Sequence, residues 1–197
     1  MHFTLADLIT DITQNGAEAD SSLVELDVQE LLRSDGTGEF RFTVKDNGKG
    51  MTEDELQRAC DPFVTDGVKH PNRKVGLGLP FLIQTADQSG GGWKLTSSKR
   101  PSAGSGTTVS AWFDLGNVDT PPLGDISGMF RTVLLFAGPR EVVLRRSRTM
   151  SETRSSYEVR KSELIEALGN LEEAQSLVLL DKYLRSLEDD LSVADDA

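Results

Sequence analysis

Hydrophobic residues along this chain recur with two periods, one of two residues and one of three to four residues. The shorter period predicts half-buried strands, and the longer period predicts amphipathic helices. The predicted strands cover residues 23–29, 39–46, 93–97, 107–114, 141–146 and 156–160. The predicted helices cover residues 4–18, 52–59, 81–86, 126–137 and 177–191.

The order of these elements predicts an α/β two-layer sandwich, in which helices cover one face of a mixed sheet, with a small α+β C-terminal extension. We expect two domains, 1–116 and 117–197, because a connector with two prolines follows the last strand of the first part. The extension is predicted to hold a helix, a hairpin, an amphipathic helix and an acidic tail.

Charge is unevenly distributed in this extension. Residues 140–161 hold seven Lys or Arg and three Glu, whereas residues 162–197 hold ten acids and two bases. The hairpin and the tail are therefore predicted to contact each other, with an acidic partner or a nucleic acid as the alternative for the basic hairpin.

The composition excludes several classes of protein. The chain has 197 residues and a net charge of −11, which argues against nucleic acid as its main partner. No apolar run approaches the length of a membrane span or resembles a signal peptide. Cys60 is the only cysteine, so an internal disulfide is impossible and a reducing, cytoplasmic setting is expected.

Asp46 ends the strand 39–46 on the same face as Phe40, Phe42 and Val44. A carboxylate on an apolar face loses hydration worth several kcal/mol unless hydrogen-bond donors satisfy it. Those donors are either the amides of the following glycine-rich turn, 47–51, or a bound ligand such as a purine amino group. The residues of this segment alone leave both interpretations open.

Asp11 and Asn15 lie four residues apart on the first predicted helix, so their side chains share one face. A carboxylate and an amide oxygen so placed suit Mg²⁺ and a water molecule that the acid could activate. The alternative is that both are ordinary solvated positions.

The segment 76–80, Gly-Leu-Gly-Leu-Pro, leads into a predicted helix. Free amides at a helix N-terminus favour phosphate, and proline fits the first turn. The spacing excludes both a dinucleotide-binding glycine fingerprint and a P-loop. The preceding segment, 64–78, carries Lys69 and Lys74 and is predicted to close over phosphates, with a solvated surface loop as the alternative.

Taken in order, these segments resemble the GHKL ATPase superfamily, which includes the ATPase domains of DNA gyrase, the ninety-kilodalton heat-shock chaperone, sensor histidine kinases and mismatch-repair proteins. The resemblance covers residues 1 to about 115. It rests on D-x-x-x-N at 11–15, D-x-G-x-G at 46–50, D-P-F at 61–63, G-L-G-L at 76–79 and G-x-G-T-T at 104–108. Within this superfamily, the segments most resemble those of histidine kinase-like ATPase domains, which have a short lid with a Phe box and G-L-G-L.

The resemblance implies a Bergerat-type fold that binds ATP and Mg²⁺. By position it implies Asn15 as the magnesium ligand, Asp46 as the reader of the adenine amino group, and Gly48 and Gly50 as the shapers of the adenine pocket. It also implies Thr107 as a hydroxyl near adenine. The phosphate-contacting turn is implied to be Gly76, Leu77, Gly78 and Leu79, and Phe63 is implied to belong to the hinge of the lid. The lid is the segment 64–78 that carries Lys69 and Lys74.

Asp11 stands where this superfamily usually has a Glu that activates water. Asp is one methylene shorter, and a misplacement of about 1 Å can cost on the order of a hundredfold in rate. Nucleotide binding is therefore better supported than turnover.

Three functions are compatible with this pattern. The first is an ATP-binding protein that hydrolyses slowly or switches with nucleotide, and signals to a protein partner through its C-terminal extension. The alternatives are a protein kinase that acts on Ser or His of another chain, and a non-enzymatic scaffold subunit. The first helix begins within five residues of Met1, so we expect a free-standing domain without a phosphoacceptor helix.

Overall fold

The computed structural model describes residues 4–61, 78–102 and 104–193. These residues form six helices and six strands. The helices are α1 (Leu5–Ala17), α2 (Glu53–Cys60), α3 (Gly78–Gln88), α4 (Ile126–Leu134), α5 (Lys161–Leu168) and α6 (Ala174–Val193). The strands are β1 (Leu23–Leu32), β2 (Gly38–Asp46), β3 (Gly92–Ser98), β4 (Gly106–Asp114), β5 (Glu141–Met150) and β6 (Thr153–Arg160).

All six strands form one sheet in the order β3-β4-β2-β1-β5-β6. Neighbouring strands are antiparallel except β1 and β5, which are parallel. The sheet is therefore mixed, and the predicted fold class, an α/β sandwich, is confirmed.

One face of the sheet forms the hydrophobic core because alternate residues of each strand point to it. Leu26 of β1 lies opposite Val44 of β2 and Leu144 of β5, and all three are almost fully buried. Phe42 and Phe113, on β2 and β4, stack with ring centroids 6.3 Å apart.

Helices α3, α1, α4 and α6 contact each other in that order. The apolar residues of α1, including Leu5, Leu8, Ile9 and Ile12, are buried in the core. Its N-terminus is closed by a capping box of Thr4 and Asp7. No described helix combines the length and the hydropathy needed to cross a membrane.

The C-terminal residues continue the same sheet. Strand β5 lies directly beside β1, with Leu23 opposite Glu141 and Leu32 opposite Met150. The predicted hairpin is present as β5 and β6. Neither the parallel pairing of β5 with β1 nor the helix α5 was predicted. The division into domains at residue 116 stays a prediction.

The opposite face of the sheet is polar. Glu25 of β1 binds Arg145 of β5 at 3.0 Å and lies 3.7 Å from Lys45 of β2. Arg145 also binds Glu158 of β6 at 2.7 Å. These ion pairs cross four neighbouring strands on one surface, which is typical of an open sheet face.

The core face carries a buried ionic cluster, formed by Glu30, Arg146, Arg148, Tyr157 and Glu188. Arg146, whose side chain is 3% exposed, donates to Glu30 at 2.7 Å and lies 3.5 Å from Glu188 of α6. The hydroxyl of Tyr157 donates to Glu188, and burial together with this carboxylate raises the pKa of the phenol. The cluster therefore joins α6 to β1, β5 and β6.

Replacing Arg146 with Ala is expected to lower the free energy of unfolding by about 3 kcal/mol, because Glu30 would stay buried without its main ion-pair partner. This loss of stability is at the lower end of the range for a broken buried ion pair, because Arg148 remains 3.7 Å from Glu30. Urea denaturation measures the change.

The control is Glu39→Ala, which breaks an exposed pair with Arg41 and should cost less than about 1 kcal/mol. Equal losses in the two variants would show that the buried cluster does not stabilise the C-terminal strands and helix.

Candidate functional site

Asp46 ends β2 on the core face, as predicted, and is 7% exposed. Its Oδ1 accepts a hydrogen bond from the Gly48 amide at 2.8 Å, and the Thr107 amide also donates to the carboxylate. These amides lower the pKa of Asp46, but the loss of hydration on burial is larger, so the pKa is raised above its usual value. Backbone amides therefore satisfy part of the hydrogen-bonding capacity of this carboxylate. A further donor, such as a ligand amino group, would stabilise its charge.

The last turn of α1 lies against Asp46. A Cβ placed on Gly16 would be 3.3 Å from the Cβ of Asp46 and 3.5 Å from its Oδ2. Gly16 is therefore the helix residue that lets the carboxylate approach α1. Gly16 is not among the residues predicted for the site, although a glycine inside a helix costs about 1 kcal/mol relative to Ala and so indicates a close approach.

The turn 47–51 is held by backbone contacts with two other segments of the chain, at Ala19 and at Ser98. A Cβ on Gly48 would lie 2.4 Å from the carbonyl oxygen of Ala19, and the Lys49 amide donates to that same oxygen at 2.8 Å. Gly50 has a φ of 62° and packs against the backbone of Ser98. The glycines at 48 and 50 are thus required by close backbone contacts around Asp46.

Thr107 lies beside this turn on β4. Its hydroxyl is 2.9 Å from the hydroxyl of Ser97 on β3, which also accepts from the Met51 amide at 2.8 Å. Ser97 therefore links Thr107 to the turn that follows Asp46. Ser97 is predicted to lie on a strand, but no role in the site is predicted for it, because its partner in the turn is 46 residues away along the chain.

The start of α3 meets the exposed face of α1. A Cβ on Gly78 would lie 3.6 Å from Nδ2 of Asn15 and 3.9 Å from Cβ of Asp11. Asp11 and Asn15 are both exposed, and Leu79 packs against the core beneath them. Helix α1 therefore carries two neighbouring parts of the site, Asp11 and Asn15 beside α3 and Gly16 beside Asp46.

Several predicted site residues lie outside the described residues. They are Phe63, Lys69, Lys74, Gly76 and Leu77, together with most of the predicted lid. Their roles stay predictions.

Residues 2–117 match the family of histidine kinase-, DNA gyrase B- and HSP90-like ATPases. The chain belongs to this ATPase family. The match covers more than half of the chain, and it includes each of the residues placed around Asp46 and Asn15. Membership of this ATPase family implies that the chain binds ATP.

The chain also resembles the solved structure of the mycobacterial sensor histidine kinase MprB. The two are 19% identical, with a TM-score of 0.38, over 54% of this chain and 69% of that chain. The resemblance is too distant to carry a statement about activity.

In this ATPase family the nucleotide typically binds with Mg²⁺. Among the described residues no cluster of three or more His, Cys, Asp or Glu could hold a metal by itself. Mg²⁺ does not require one, because it commonly keeps several waters and uses one or two protein oxygens together with substrate phosphates. The exposed amide of Asn15, with Asp11 one turn away, fits that kind of site.

Replacing Gly48 with Ala is expected to destabilise the protein by about 1–3 kcal/mol, because the new Cβ overlaps the Ala19 carbonyl and forces the turn to move. The movement displaces the amide that binds Asp46, so ATP affinity should fall as well. Thermal unfolding and calorimetric titration with ATP measure the two effects.

The matched control is Gly116→Ala. The Gly116 amide likewise donates to a carboxylate two residues earlier, at 2.9 Å, but its added Cβ has 3.3 Å to the nearest atom. If ATP affinity fell equally in both variants, the geometry of the 47–51 turn would not control the site.

Proposed function

We propose that this protein binds Mg-ATP between the end of β2, the C-terminal half of α1 and the start of α3. The observation that carries the proposal is Asp46, a buried carboxylate with a raised pKa in a chain of the ATPase family. An amino group on the adenine ring is a suitable donor for this carboxylate, because it returns a hydrogen bond that burial removed. Thr107 and the glycine turn 47–51 form the sides of the adenine pocket.

The phosphates extend from Asp46 along α1 toward α3. A helix N-terminus such as that of α3 presents backbone amides and the positive end of the helix dipole, which favour an anion. Asn15 supplies an oxygen ligand to Mg²⁺, and Gly78 leaves room beside it for phosphate oxygens. The metal would neutralise phosphate charge there.

Asp11 is the proposed base for slow hydrolysis. Its exposed carboxylate lies on the same face of α1 as Asn15, so a water near the Mg²⁺ site is within its reach. Its shorter side chain relative to Glu supports a low turnover rate and, with it, a role as a nucleotide switch.

The switch would act on a protein partner through the C-terminal part of the chain. Helix α1 carries Asn15 and packs against α4, which in turn packs against α6. Arg131 of α4 binds Asp181 of α6 at 2.9 Å. A change at the nucleotide therefore has a continuous set of packed helices through which to reach residues 117–193.

The central test is isothermal titration with Mg-ATP. Replacing Asp46 with Asn should weaken binding by about tenfold to a hundredfold, because a hydrogen bond to a charged acceptor is worth about 1.5–3 kcal/mol. The matched control, Asp27→Asn, makes the same change on the opposite face of the sheet and should leave affinity unchanged.

The difference between wild-type and Asp46→Asn affinities should also shrink as the pH falls. Burial raises the pKa of Asp46 above the usual 3.8, so this carboxylate takes up its proton earlier than an exposed aspartate and stops acting as an acceptor. Equal affinity of the wild type and Asp46→Asn at neutral pH would refute the adenine assignment.

Turnover is tested separately with Asp11→Asn. This variant should bind Mg-ATP as the wild type does and release phosphate at least about tenfold more slowly, since positioned bases contribute roughly a hundredfold or more to rate. Release of labelled phosphate from ATP measures the rate.

The same label distinguishes the other functions. Transfer of labelled phosphate to a partner protein would replace the ATPase proposal with a kinase. Tight binding without any phosphate release, in the wild type as well as in the variant, would replace it with a scaffold whose nucleotide is structural.

A further inference from the structure

Strand β6 ends the sheet. It pairs with β5 on one side, and no other described strand pairs with it on the other. Eight residues of edge strand offer backbone donors and acceptors to another chain. Such an edge is either protected by its side chains or used for association.

The side chains of β6 alternate between two environments. Tyr157 and Val159 point to the core, whereas Arg154, Ser156 and Glu158 point to the open face of the sheet. On the open face, charge therefore reads Arg, Ser, Glu at every second residue. Arg154 and Glu158 thus carry opposite charges at equal distances from Ser156.

That symmetry has a consequence for pairing with an identical strand. In an antiparallel pair, directly opposite residues have side chains on the same face. If Ser156 of one copy lies opposite Ser156 of the other, Arg154 of each copy lies opposite Glu158 of the other. Both charged pairs are then attractive.

Neighbouring registers lack this property. With Tyr157 on the two-fold axis, Arg154 lies opposite Arg160. With Glu158 opposite itself, two carboxylates meet on the axis. Like charges directly opposite each other are destabilising, so charge favours the register centred on Ser156 over these two registers.

Helix α6 lies over β6 and exposes two apolar residues on the side where the sheet ends. Asp181 of α6 points toward α4, where it binds Arg131. Leu179 and Tyr183 are each two residues from Asp181, about 200° around the helix, and so lie on the flank away from α4. They are 46% and 43% exposed, and α6 packs over β6.

We propose that two copies of this chain associate through β6, with a two-fold axis at Ser156. The two six-stranded sheets then form one sheet of twelve strands. Backbone hydrogen bonds join the edges, the Arg154 and Glu158 pairs set the register, and the exposed flanks of the two α6 helices approach each other above the joint. This surface is at the β6 end of the sheet, and β1 and β5 separate it from β2 and β4, which carry the candidate site.

A cysteine at the axis tests the register. In a Cys60→Ser background, Ser156→Cys should give a disulfide-linked dimer under mild oxidation, because self-opposed residues lie about 4.5–5.5 Å apart, within the range of a disulfide. The control Arg154→Cys should not link, since the two copies of residue 154 lie about 13 Å apart in this register. Equal linking of both variants would overturn the proposal.

Charge exchange between copies tests the contact without a covalent bond. Arg154→Glu alone and Glu158→Arg alone should each weaken self-association by about tenfold or more, because both cross-strand pairs become repulsive. Mixed together, the two variants should associate as the wild type does, since every opposite pair is again Arg with Glu.

Sedimentation velocity on the full chain, with circular dichroism of each variant, measures the outcome. A wild type that remains monomeric at its highest soluble concentration, or folded variants that do not associate when mixed, would overturn the proposal and leave the charges of β6 as protection of an edge strand. Neither outcome bears on ATP binding.

Discussion

The structure depends on the burial of one face of β1. This strand lies between β2 and β5 and contributes Val24, Leu26 and Val28 to the core, each at most 1% exposed. Because side chains alternate along a strand, the register on both sides is set by the need to keep these residues in the core. A shift of one residue on either side would expose the whole apolar set.

The candidate site follows from that register. Val24 lies opposite Asp46, so the last residue of β2 must point to the core face even though it is a carboxylate. Helix α1 covers the same face, and Gly16 in its last turn leaves the space that Asp46 occupies. The raised pKa of Asp46 is thus a consequence of packing, and it is also the reason why a ligand donor would be stabilised there.

The same constraint explains the role of the C-terminal residues. Strand β5 continues the apolar face with Val142 and Leu144, and then places Arg146 and Arg148 where the face meets Glu30. A buried ion pair is weak evidence for stability, but it discriminates strongly between registers because any misplacement leaves a buried charge without its partner. Glu188 places the same requirement on α6, because it contacts Arg146 and accepts a hydrogen bond from Tyr157.

The amino-acid sequence alone is sufficient to identify the ATPase family, the secondary structure of nearly every element, and the acidic and glycine positions of the segment 46–50. These follow from local periodicity, capping residues and motif order, which need no knowledge of distant contacts. Tertiary structure decided the parallel pairing of β5 with β1, the proximity of Gly16 to Asp46 and the link from Ser97 to the turn at Met51. Each of these joins residues far apart in the chain through the packing of the sheet and its helices, and neither a period nor a motif encodes such a contact.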